Sequence, residues 1–297
     1  MTPMRINSDK KKYLVILAGS PRGGEKTWES LYKYVLDYLD ADLAICCSNK
    51  WNLDISLFSR AKYKWIYEKF EDYEKYYSKH FQGNWKEYFL SGKDTGLYAS
   101  GLLHFVCKDM IKRNYLDILE QYEYIVYTRF DQFYLDYHPQ LENNEILIPS
   151  GEDYGGICDR HAIFPSQYAE KYLSICDFID SPEAMEMISE YNNCEATYLN
   201  QLVSNGLHKQ IRRFKRTQFT STIKGEPTNW RVATYKVYFY KNLMMKYPEE
   251  FVSGVKNCLD KYSTIKYFFT EPVITINYFY LALRKKIGAY KRNFRTH

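Results

Sequence analysis

Along the chain, short unbroken apolar runs alternate with stretches in which apolar residues recur every three or four positions. The first run, Tyr13 to Ala18 (YLVILA), follows Lys10 to Lys12 and is ended by Gly19, Ser20 and Pro21. An unbroken run of this length fits a central parallel strand buried on both faces. From Glu25 to Leu39, Trp28, Leu31, Val35 and Leu39 fall at helical spacing, and Asp42 to Cys47 (DLAICC) reads as a second strand. Strand, turn, helix and strand in this order open an α/β sheet with a right-handed crossover. Within residues 51–98 the aromatic and charged stretch WIYEKFEDYEKYYSKHFQGNWKEYF lacks Pro and has one Gly, which predicts helices. A further helix is predicted from about Gly101 to Glu120. The apolar core Ile125 to Tyr127 then ends in a polar cluster, and Glu145 to Pro149 is another short strand. Helices are predicted over 165–177 and 182–206. They are followed by the basic stretch KQIRRFKR (209–216) and some sixty helical, aromatic residues. The pattern thus predicts an α/β fold, a mixed sheet flanked by helices, with a main domain over 1–230 and a helical C-terminal extension over 231–297.

Composition narrows the function classes. A chain of 297 residues, 45% hydrophobic, can bury a sizeable core, and 18% aromatic content argues against disorder. The formal charge of +5 is local: from Arg284 onward there are six Lys and Arg and no acid, leaving 35 basic against 36 acidic residues before it. A near-neutral body removes the case for a nucleic-acid groove through the fold. The tail follows the apolar stretch Val273 to Leu283, so it is either a solvated terminal helix or a peripheral contact with an anionic membrane. The first apolar run is too short for a signal sequence, and no run reaches transmembrane length, so a soluble or peripheral cytoplasmic protein is expected. Seven cysteines without a CxxC pair read as reduced, buried thiols, and the six scattered histidines give no zinc spacing.

Four segments carry candidate chemistry. Gly19, Ser20, Pro21 and Arg22, in AGSPRGG between the first strand and helix, present a turn that can either hold an anion or simply connect the two elements. Walker and dinucleotide glycine patterns are both absent from it. Arg129 and Asp131 stand at the carboxyl end of an apolar strand, where open α/β sheets gather ligands; they can equally be a strand-end ion pair. In SGEDYGGICDRHAIF (150–164), Gly151, Gly155 and Gly156 allow close backbone approach, while Glu152, Asp153 and Asp159 offer carboxylates for sugar hydroxyls or proton transfer. The same composition also makes an ordinary turn. Glu195 begins a helical segment that Asn192 or Asn193 can cap, and a first-turn acid there needs no function.

Taken in order, GSPRGGEKTWES, YIVYTRFD (124–131), GGICDRHAI (155–163) and the acid Glu195 ahead of Tyr198 and Leu199 resemble GT-A-type glycosyltransferases of a divergent bacterial and viral group. The resemblance covers about residues 13–215. It implies a GT-A fold, a UDP- or GDP-sugar donor, a glycan hydroxyl acceptor and a divalent metal, Mn²⁺ or Mg²⁺. In that scheme the turn from Gly19 to Gly24 holds the nucleotide. Asp131 stands where the family has Asp-x-Asp and is the lone metal-bridging carboxylate, with Arg129 a second positive contact. Asp159 and Arg160 face the sugar and acceptor, Asp159 being the first choice of base and Asp153 the second. The alternative is a non-catalytic relative that binds the nucleotide-sugar or carbohydrate. A sulfotransferase or kinase is disfavoured because GSPRGG lacks the phosphate-loop lysine.

Overall fold

The protein is described by a computed structural model over residues 11–50, 54–69, 72–91, 102–188, 193–225, 235–238, 240 and 242–293, with backbone only at 91 and 285–293. The side chains of the basic tail beyond Arg284 therefore lie outside the described residues. The chain begins with β1 (Lys11–Ala18), α1 (Glu25–Leu31), a π-helical turn (Tyr32–Leu36), α2 (Asp37–Leu39), β2 (Asp42–Ser48), α3 (Ser56–Arg60) and β3 (Tyr63–Tyr67). Next come α4 (Tyr73–His80), α5 (Trp85–Ser91), α6 (Leu102–Leu119), β4 (Tyr122–Arg129), β5 (Gln132–Tyr134), β6 (Ile146–Pro149) and β7 (His161–Pro165). After these follow α7 (Ala169–Leu173), α8 (Ile175–Asp180), α9 (Pro182–Glu186), α10 (Cys194–Ser204), β8 (Ile211–Phe214) and β9 (Gln218–Ile223). The chain closes with β10 (Tyr235–Lys236), β11 (Leu243–Met245), α11 (Pro248–Tyr262), α12 (Thr264–Thr270) and α13 (Pro272–Asn293).

These elements form two compact units, each assembled from non-contiguous segments. The first comprises Met1–Pro21, Leu36–Phe130 and Pro139–Phe214; the second comprises Arg22–Val35, Asp131–His138 and Lys215–His297. In the first unit a seven-stranded sheet has the order β3-β2-β1-β4-β7-β6-β8. Strands β1 to β4 are mutually parallel, and β7 runs antiparallel to both β4 and β6. The run from Tyr13 to Ala18 is buried throughout, as a strand covered by helices on both faces requires. One face carries a core of Leu14, Ile16, Phe105, Tyr127, Phe164 and Tyr172 with the residues packed around them.

In the second unit an antiparallel sheet of order β10-β11-β9-β5 packs against α1 and α11. Its core joins Phe133, Phe219, Leu243, Met245, Phe251 and Val255. Pro248 opens α11 with Glu249 and Glu250 in its first turn, where acids complement the helix dipole. Farther along the helix, a Cβ on Gly254 would come within 2.9 Å of Leu135 Cδ1, so the helix packs close at that point.

The mixed sheet, its flanking helices and the helical C-terminus agree with the α/β reading, while three local expectations are corrected. Residues 63–67, expected in a helical stretch, form the edge strand β3, in which Trp65 is buried and stacks on Tyr115 at 4.5 Å. Its alternation of aromatic and charged residues suits a half-buried edge as well as it suits a helix face. The helix expected from Pro165 starts later, because HAIFP is the fully buried strand β7. The long helix expected over 182–206 is two helices, α9 and α10, each with its own cap: Ser181 accepts from Ala184 N and Asn193 from Ala196 N. All seven cysteines are free thiols, six of them buried.

Candidate functional site

The strand order reverses between β1 and β4, since β1 leads on to β2 on one side while β4 joins on the other. Ligands in open α/β sheets bind outside the carboxyl ends of the strands at such a point. The register sets Ala18 beside Arg129 on one side and beside Cys46 on the other, so Gly19, Ser20 and Pro21 emerge next to Arg129. Gly19 has φ +108, and its N–H donates to Cys46 O at 3.0 Å. A Cβ there would lie 2.9 Å from His104 Cε1, so the turn needs glycine on two counts. Because β7 is antiparallel to β4 and pairs His161 with Thr128, the residues just before it, Asp159 and Arg160, arrive at the same edge. His161 Nδ1 lies 3.0 Å from Thr128 Oγ1, which holds the two strand ends together.

The loop leading to Asp159 is folded against the first turn of α10. Gly151, Glu152, Tyr154 and Gly155 all have positive φ, which the glycines adopt freely and which surrounding contacts must impose on Glu152 and Tyr154. The close approach expected of these glycines is made, at Gly156, to protein backbone: a Cβ there would fall 2.1 Å from Glu195 O. Ile157 N donates to Glu195 O at 3.2 Å, and Asn193 Nδ2 donates to Tyr154 O at 2.7 Å. The same Asn193 caps α10 through its Oδ1. Glycine at 156 thereby brings Glu195 up to Asp159 and Arg160. Asp153 accepts from Arg213 Nη2 at 2.7 Å and from Cys158 N at 3.1 Å, so its carboxylate clamps the loop to β8.

The electrostatics of this cluster are unusual. Asp159 is only 7% exposed, and its charge acts on Lys108, Arg160 and Glu195. Arg160 is buried and pairs with Glu152 Oε1 at 2.7 Å; burial opposes its charge, but Glu152, Asp159 and Glu195 more than compensate and raise its pKa. Lys108, on the buried face of α6, is fully inaccessible, and its Nζ has no hydrogen-bond partner. The ammonium sits 3.8 Å from the ring centre of Tyr198, with Tyr172 and Tyr127 farther out, so cation–π contact replaces hydration. Burial pulls its pKa down to about 8 while Asp159 holds it up. Glu195 is half-buried, and burial together with the neighbouring Asp159 charge pushes its pKa up to about 7, with Arg160 opposing. A carboxyl titrating near neutrality beside a second carboxylate can take a proton from a hydroxyl held between them.

Arg22 and Asp131 belong to the second unit. The Arg22 carbonyl accepts from Trp28 Nε1 at 3.3 Å. Farther round the turn, Thr27 Oγ1 donates to Gly23 O, and a Cβ on Gly24 would fall 2.8 Å from Ile223 Cδ1. Asp131 is 2% exposed and its carbonyl accepts from Ser221 N at 2.8 Å. Asp136 is bound by Lys261 Nζ at 2.8 Å and Tyr262 Oη at 2.7 Å, contacts that fasten α11. Among the described residues no three His, Cys, Asp or Glu side chains are grouped to hold a metal ion. In KQIRRFKR, Arg212 pairs with Glu145 at 3.1 Å and Arg213 with Asp153, which accounts for two of its charges within the sheet.

Sequence reasoning overlooked Lys108. Its signal was positional: it stands three residues after Phe105 and three before Ile111, on the apolar face of its helix, where an unpaired lysine is out of place. A family model described as a domain of unknown function (DUF7796) matches residues 8–220. No curated protein matches the chain.

Proposed function

The chain belongs to the DUF7796 family, and for this member we propose transfer of a sugar from a nucleotide-sugar donor, a UDP- or GDP-sugar, to a glycan hydroxyl. The observation that carries the reading is the charged cluster at the carboxyl edge: Asp159, 7% exposed, stands beside the buried Arg160, and burial together with the Asp159 charge raises the Glu195 pKa to about 7. Two carboxylates and a guanidinium held together at low exposure offer acceptors and donors to a polyhydroxylated ligand. A mixed sheet flanked by helices, with the cluster at the carboxyl edge beside the order reversal, supports a GT-A assignment.

In this reading Gly19, Ser20 and Pro21 line the nucleotide, and Arg129 meets the diphosphate. The acceptor oxygen forms its bond to the anomeric carbon as the bond from that carbon to the diphosphate breaks, and the proton passes to Glu195. Asp159 holds the acceptor hydroxyl and orients it. The base thus moves from Asp159, the first choice on sequence, to Glu195, whose pKa suits proton removal at neutral pH. A divalent cation carried with the donor, Mn²⁺ or Mg²⁺, would offset charge on the leaving diphosphate; Asp131, the position the resemblance gives it, lies in the second unit.

The test is release of nucleoside diphosphate from a panel of UDP- and GDP-sugars, with and without Mn²⁺ and candidate acceptors. Glu195→Gln should lower turnover by about 10²–10⁴-fold with little loss of donor binding. Turnover unchanged in Glu195→Gln refutes the assignment of the base. A second reading, a non-catalytic binder, is favoured by the single carboxylate at Asp131. It predicts nucleotide-dependent thermal stabilisation without turnover of any donor.

A further inference from the structure

The second unit carries an apolar surface that its own core does not use. Helix α12 is pinned by Tyr267, whose hydroxyl donates to Leu135 O at 3.0 Å, while Ile265, Phe268 and Phe269 on the same helix are exposed, Phe269 to 79%. Helix α13 buries Ile274, Thr275 and Asn277. Its opposite stripe, Ile276, Phe279, Tyr280 and Leu283, follows i, i+3, i+4, i+7 spacing and is exposed along its whole length. A helix apolar on its outer face as well as its inner one has a second surface to cover. No described helix is long and apolar enough to cross a membrane.

Charge indicates what covers it. From Lys261 onward the sequence has eight Lys and Arg against one acid, Glu271. That acid is already engaged: it accepts from Lys33 Nζ at 2.9 Å and from the Tyr34 hydroxyl. Arg284 immediately follows the last residue of the stripe, and Lys285, Lys286, Lys291, Arg292 and Arg295 continue the chain. An aromatic stripe running into cations is the composition of a helix that lies in a lipid–water interface, with its rings below the headgroups and its cations among anionic ones. A second copy of the same surface would bring like charges together and is disfavoured.

We propose that the exposed faces of α12 and α13, continued by the basic segment from Arg284, seat this protein on an anionic membrane surface. The proposal is independent of the chemistry assigned to the first unit. It is tested on the full chain by co-sedimentation with vesicles of phosphatidylcholine alone and of phosphatidylcholine with roughly a third phosphatidylglycerol, at low and high salt. The wild type should partition onto the anionic vesicles at least about tenfold more than onto neutral ones, and salt should weaken this binding. Phe269→Glu and Phe279→Glu should each reduce binding by about tenfold or more without altering the far-ultraviolet circular dichroism. If either variant fails to fold, Ile265→Asn and the salt series carry the test. The proposal is overturned if the wild type does not bind anionic vesicles, or if the folded variants bind as the wild type does. Lipid-free dimerisation by light scattering, abolished by Phe269→Glu, would identify a second copy as the occupant and also overturn it.

Discussion

Replacing Glu195 by Gln should make the protein more stable and less active, and the two effects should share one pH dependence. Raising a carboxyl pKa from 4.5 to about 7 penalises the charged form by up to about 3 kcal/mol, at 1.36 kcal/mol per pKa unit. The folded-state pKa is the higher one, so the stability associated with this group is fully present below about pH 4.5 and is lost as pH rises through about 7. Gln mimics the protonated form and does not incur the loss. Glu195→Gln should therefore match the wild type near pH 4.5 and exceed it by up to about 3 kcal/mol at pH 8, a rise of several degrees in the thermal midpoint. Thermal unfolding of both proteins at pH 5, 6, 7 and 8 measures the difference. A gap independent of pH, or a variant less stable than wild type at pH 8, would show that Glu195 is not destabilised by its surroundings and remove the reason for choosing it as base. The opposite trends of stability and turnover are those expected of a site strained for function.

Other consequences can be measured alongside. Asp159→Asn removes a charge that raises the Glu195 pKa, so the acid limb of the pH–rate profile, near pH 7 in the wild type, should move to lower pH, with turnover also reduced. The Lys108 pKa is held down at about 8, so the wild type should gain stability as pH rises from about 8 to 10.5 relative to Lys108→Met, as read by denaturant unfolding across that range. Gly156→Ala places a methyl 2.1 Å from Glu195 O and should cost several kcal/mol or displace the loop, whereas a Cβ at Gly155 would meet nothing within 4 Å and Ala there should cost only the roughly 1–2 kcal/mol of a left-handed backbone. Asp131→Asn should abolish any enhancement of nucleotide-sugar binding by Mn²⁺, as measured by calorimetry; equal affinity with and without Mn²⁺ in the wild type would remove the metal from the mechanism.

The strands buried on both faces were legible because nothing but an unbroken apolar run can occupy such a position: YLVILA and DLAICC are β1 and β2. Edge strand β3 was not legible, because Tyr63-Lys64-Trp65-Ile66-Tyr67 has one face half in water and its rings suit either period. The break between α9 and α10 lay in caps rather than in periodicity, and Ser181 and Asn193 look like ordinary polar residues until their acceptors are known. At the site, Asp159 and Arg160 stood out as a charged pair among glycines. What the sequence left open was the destination of Gly156, which packs on Glu195 and thereby selects that acid from among several. Lys108 was hidden for the same reason: its cage of tyrosines comes from β4, α7 and α10, which only the fold assembles.

The interleaving of the two units bears on how the chain comes off the ribosome. Thr27 Oγ1 and Ser221 Oγ, 2.8 Å apart in the second unit, are 194 residues apart in sequence. At about 5–20 residues per second, helix α1 waits roughly 10–40 s for its partner strand to be synthesised. During that interval helix α1, with Trp28 and Leu31, and the β5 residues Phe133 and Tyr134 lack strand β9, which later packs on the helix and pairs with β5. The nascent chain thus carries apolar segments that must be shielded from its neighbours, and holdase chaperones that bind such segments should engage it before residue 223 emerges.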